Sequence, residues 1–72
     1  MLGYINYDIK IDFRVPGTLS YLMEQCEESD KNDDLGTYTD MREALIGSFA
    51  KEACATGAIT GTQWETIERR YG

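Results

Sequence analysis

The sequence predicts an α+β fold: one N-terminal strand, then three helices, with the strand paired to a second copy of the chain. Three observations predict it. From Ile5 to Val15 apolar and polar residues alternate without a break, which is the period of a strand with one buried face. Everything after Pro16 carries helical spacing or turn residues, so no second strand exists in the chain to pair with the first. A strand with open backbone groups invites another strand, and the cheapest source is an identical chain. The expected assembly is a homodimer joined by an intermolecular two-stranded antiparallel ribbon, an expectation reinforced by length. A chain of 72 residues buries only about 60% of its unfolded surface and is marginal alone.

Taken in order, the strand places Ile5, Tyr7, Ile9, Ile11, Phe13 and Val15 on one face and Asn6, Asp8, Lys10, Asp12 and Arg14 on the other. Pro16 cannot donate to a ladder and ends it. Thr18 is placed to cap a first helix over about 18–29, with Leu19, Leu22, Met23 and Cys26 at i, i+3, i+4 and i+7. The polar run Ser29–Asp34 reads as a loop punctuated by Gly36. Thr37 with Asp40, or Thr39, opens a second helix. Its apolar face holds Met41, Ala44, Leu45, Phe49 and Ala53, widened by Ile46 and Ala50. Thr56-Gly57 closes it, with glycine in the left-handed cap position. Thr62-Gln63-Trp64-Glu65 fits a capping box for a short third helix bearing Trp64, Ile67 and Tyr71. The whole is one domain: a core over 8–55 and a helical extension over 57–72.

Composition narrows the function. Apolar content of 42% and charged content of 28% suit a globular chain. No apolar run is long enough to span a membrane, and MLGYINYDIK lacks the regions of a signal peptide, so a cytoplasmic location is expected. Cys26 and Cys54 lack metal spacing and read as small buried hydrophobes. Histidine is absent, which removes the commonest general base and metal ligand. Phosphate-cradling glycine loops and nucleophile elbows are missing, so no enzyme and no cofactor is expected. The net charge of −6 sits wholly between Glu24 and Glu43, where eight acids face Lys31 and Arg42. Asp30, Asn32 and Asp34 occupy positions 1, 3 and 5 of a possible calcium loop. Leu35 and Met41 stand where that loop needs glycine and glutamate, and the match fails.

The strand ending Lys10-Ile11-Asp12-Phe13-Arg14-Val15-Pro16, followed by the helices Leu19–Ser29 and Met41–Glu52, resembles the ribbon-helix-helix family of dimeric DNA-binding proteins, the class of Arc and MetJ. The resemblance covers roughly 8–55 and is one of pattern. It implies a small transcriptional regulator whose ribbon lies in the major groove of a DNA operator, with Lys10, Asp12 and Arg14 reading base edges. It also implies that Thr37, Tyr38 and Thr39, at the start of the second helix, hold a phosphate. The chain departs from the family in the acids Asp8 and Asp12 on the reading face, in a long acidic inter-helix loop and in the C-terminal extension. A second reading is an acidic protein-binding module or inhibitor, with DNA mimicry as one form of it. In it Glu24, Glu27, Glu28, Asp30, Asp33 and Asp34 dock on a basic protein surface. Small acidic chains of this kind also suit phages and mobile elements.

Overall fold

A computed structural model describes residues 4–72 and shows helices α1 (Gly17–Lys31), α2 (Leu35–Ala44), α3 (Ala50–Ala55) and α4 (Gly61–Tyr71), with a π-helical turn over Leu45–Phe49 between α2 and α3. α2, the π turn and α3 run on without interruption, so the architecture is three helical rods. α1 and α2 form an antiparallel hairpin, and α4 packs on α3 and the π turn. The core gathers Leu19, Leu22, Met23 and Cys26 from α1 with Leu45, Ile46, Ala50 and Ala53, then Ile59, Ile67 and Tyr71.

The predicted α+β class is overturned: among the described residues there is no strand and no sheet, and with them goes the intermolecular ribbon. Residues 4–9 bend and turn instead. Asn6 is the cause. Its side chain accepts from the Asp8 amide at 3.1 Å and its carbonyl from the Ile9 amide at 3.2 Å, the local closure that asparagine offers in competition with extended backbone. The turn swings Tyr7 into solvent, 45% exposed, while Ile5 is buried. Beyond it the alternation holds as burial. Ile9, Ile11, Phe13 and Val15 are half-buried, and Lys10, Asp12 and Arg14 are exposed. The period of 2 therefore reports a segment lying along a core, not one hydrogen-bonded into a sheet.

Three helix boundaries also differ from the sequence reading. α1 starts at Gly17, with Pro16 as N-cap and no side-chain cap from Thr18. The Pro16 carbonyl instead accepts from Leu19 and Ser20 at 3.0 and 3.1 Å. The inter-helix loop is short, because Asp34 rather than Thr37 or Thr39 caps α2. Asp34 accepts from the Thr37 amide at 3.2 Å and from its hydroxyl at 2.7 Å. Asp33, before it, adopts φ 56°, a left-handed conformation that aspartate tolerates better than most residues. At α4 the capping box is Thr60 with Gln63, two residues before the one predicted. That register puts Ile59 at N′ and Trp64 at N4, the two positions of a hydrophobic staple, whereas a Thr62 cap would put glycine at N′.

Candidate functional site

The polar residues of the chain concentrate where the N-terminal segment crosses α1 and α4. Arg70, near the end of α4, has a side chain only 12% exposed. Its Nη1 donates to the Ile9 carbonyl at 2.7 Å and its Nη2 to Glu27 Oε2 at 3.2 Å. The Tyr71 hydroxyl donates to the same Glu27 oxygen at 2.9 Å. The guanidinium stands 5.1 Å from the Tyr7 ring centre and 5.2 Å from that of Tyr71, within cation–π range. The Asn6 amide donates to the Arg70 carbonyl at 2.8 Å. Asp30 holds the other end of the segment, accepting from the Tyr4 amide and, at 2.9 Å, from the Tyr7 hydroxyl, while Tyr4 Oη donates to Asp33.

Behind this clamp the end of α4 is closed by side chains. The Tyr71 carbonyl, one of the orphan acceptors of a helix C-terminus, accepts from the Tyr38 hydroxyl at 2.6 Å and from Arg42 Nε at 2.8 Å. Burial raises the Tyr38 phenol well above the ordinary tyrosine range. It pushes Tyr71 up to about 12 and the Cys26 thiol up to about 11. These groups are neutral structural parts at neutral pH. The Asp33 carboxylate, as acceptor from its hydroxyl, pushes Tyr4 up to about 12.

Two openings flank the clamp. One is a groove of about 470 Å³ between the N-terminal segment and α1, floored by Ile11, Phe13, Val15 and Met23, with Ser20 on its edge. The other is a cleft of about 410 Å³ between Tyr7 and α1, lined by Glu24, Gln25, Glu27, Glu28 and Lys31. Tyr7, Glu24 and Glu27 line both, so the two adjoin along α1.

The residues expected to act on DNA do not form one site. Lys10, Asp12 and Arg14 are exposed, but on an extended segment without the paired strand that would carry them into a groove. At the expected phosphate site Tyr38 is buried. The Thr37 amide and hydroxyl are engaged by Asp34, so this chain's own carboxylate already meets the positive end of α2. Thr39 is exposed. The acidic set divides. Asp30, Asp33, Asp34 and Glu27 work inside the fold. Glu24 and Glu28 are exposed, and their carboxylates take no hydrogen bond or ion pair among the described residues. No group of three or more His, Cys, Asp or Glu side chains converges on a metal position among the described residues, and no helix there is long and apolar enough to cross a membrane.

Sequence reading missed Tyr7 and Arg70. Tyr7 counted as core because it sits in phase with the alternation. Arg70 lies in a segment of balanced charge, 43 residues from the Glu27 that it meets, and no local pattern announces such a pair. No family model, curated protein or solved structure matches the chain.

Proposed function

We propose that the chain is an acidic protein-binding module that docks α1 on a basic surface of a partner protein. The observation that carries the reading is the cleft where Glu24, Glu27 and Glu28 surround the exposed ring of Tyr7. Arg70 neutralises Glu27, which leaves Glu24 and Glu28 with free carboxylates one helical turn apart. Two unpaired like charges at i, i+4 disfavour an isolated helix, and a partner cation relieves that repulsion. Tyr7, 45% exposed even with Arg70 beside its ring, adds aromatic surface to the cleft. The net charge of −6 draws basic partners and repels nucleic acid at long range. The DNA-regulator reading depended on a ribbon that the described residues lack, so the acidic reading takes precedence.

The test is fluorescence anisotropy with a labelled arginine-rich peptide. Binding should be saturable, should weaken as salt rises, and should fall about tenfold in the double variant Glu24→Gln, Glu28→Gln, as expected for the loss of two charge contacts. The matched control, Glu65→Gln with Glu68→Gln on exposed positions of α4, removes the same charge and should bind as wild type. Equal losses in both variants would reduce the effect to net charge and overturn the assignment of the site.

A further inference from the structure

We propose that the groove beside the acidic cleft reads a short peptide segment of the partner in which an apolar side chain lies a few residues from a lysine or arginine. The inference rests on the protein-binding reading and goes further, naming what the partner must present. Ile11, Phe13 and Val15 form the apolar half of the alternating segment, yet this chain covers them only in part. What remains of their surface, with Met23, forms the floor of the groove of about 470 Å³. That volume lies in the range of ligand sites, but such sites surround a small ligand, and this one lies open along α1. An extended peptide suits an open groove better than a free small molecule does.

Charge sets the composition and direction of the occupant. Around the groove Lys10 and Arg70 balance Glu24 and Glu27, so this end selects an uncharged side chain. Around the cleft, with Glu27 paired to Arg70, Glu24 and Glu28 still outnumber Lys31, so that end selects a cation. From Ser20, at the groove, to Glu28, at the far side of the cleft, α1 rises about 12 Å. An extended peptide covers that distance in about four residues at ~3.3 Å each. The segment recognised therefore carries its apolar anchor and its basic residue about three or four positions apart.

The experiment uses two labelled decapeptides in a glycine-serine background. One carries leucine four residues before an arginine pair, and the other carries serine in place of that leucine. The leucine peptide should bind about tenfold more tightly to the wild-type chain, the effect of burying one leucine side chain. Ser20 is exposed on α1, so Ser20→Trp fills the groove from its edge without entering the core. That variant should lose the leucine advantage and keep the salt-dependent binding of the serine peptide. Equal affinity of the two peptides for the wild-type chain overturns the groove while leaving the acidic module standing. A leucine advantage that survives Ser20→Trp overturns it as well. Failure of both peptides to bind overturns the module itself.

Discussion

Arg70 joins three parts of the chain through one planar group, taking the Ile9 carbonyl, the Glu27 carboxylate and the ring faces of Tyr7 and Tyr71. Lysine cannot reproduce that fork. Arg70→Ala should cost roughly 1–3 kcal/mol, because it strands a half-buried carboxylate and a backbone carbonyl, and Arg70→Lys should recover only part. Urea denaturation of the three proteins checks the order. A second residue of this kind is Asp34, whose carboxyl the Thr37 hydroxyl and amide hold below its ordinary value of 3.8. A carboxylate with a depressed folded-state pKa stabilises the fold above the unfolded value and loses that contribution as pH falls through the folded one. The thermal midpoint of wild type should therefore exceed that of Asp34→Ala at neutral pH. The gap should narrow as pH drops below 3.8, as thermal melts across the acid range will register. The Arg70 partnerships were not legible in the sequence, since they join residues 43 and 61 positions apart, whereas the Asp34 cap is local and the spacing rule set the start of the helix three residues too late, at Thr37. Gly57 was legible. Its φ of 87° is the left-handed cap expected after Thr56, and Gly57→Ala should cost about 1 kcal/mol through backbone strain alone.

Among the elements, the long rod from Leu35 to Ala55 shows most clearly how far periodicity carries. Spacing placed Leu45, Phe49 and Ala53 on one apolar face, and the rod does bury Leu45, Ile46, Ala50 and Ala53. Phe49 is 43% exposed because the turn Leu45–Phe49 is π-helical, with the Ala50 amide donating to the Leu45 carbonyl. The backbone bond there spans five residues instead of the four of an α-helix. Ala50 thus falls directly behind Leu45, and Phe49 is displaced outward. A spacing rule that assumes one period cannot see an inserted residue. Deleting Gly47 should convert the π turn to regular α-helix while leaving the Leu45–Ala50 stripe in register. The shortened protein should fold with unchanged helicity by circular dichroism and a thermal midpoint no lower than wild type, since a helix-disfavouring glycine is also lost. The N-terminal segment carries the companion lesson. From Ile9 to Val15 alternation told which side chains turn toward the core, but it misplaced Tyr7 and was silent on whether another strand lay alongside.

At the scale of the molecule, α4 is part of the core rather than an appendage. Ile67 and Tyr71 are almost wholly inaccessible, and Trp64 packs against the same cluster. A chain ending at Gly57 should lose its cooperative urea transition, where the full chain shows a single one reported by Trp64 fluorescence. A free arm would leave the transition of the shortened chain, followed by circular dichroism, intact.

The clamp has a consequence in time. Its two hydrogen bonds between the N-terminal segment and Arg70 join residues more than 60 positions apart, Asn6 to Arg70 and Arg70 to Ile9. The α1–α2 hairpin, by contrast, closes between neighbours in the chain. Closing a long loop is slow, and early local contacts do not repay it. On a ribosome the hairpin can form while α4 is still being made, and Tyr4 and Tyr7 can already meet Asp30 and Asp33, whereas the contacts of Asn6 and Ile9 must wait until residue 70 has emerged. Until then the segment carrying Ile9, Ile11, Phe13 and Val15 lacks its anchor at the Ile9 carbonyl. The rate of that long closure therefore sets how long the newborn protein carries a half-fastened apolar segment, the kind of surface that invites aggregation.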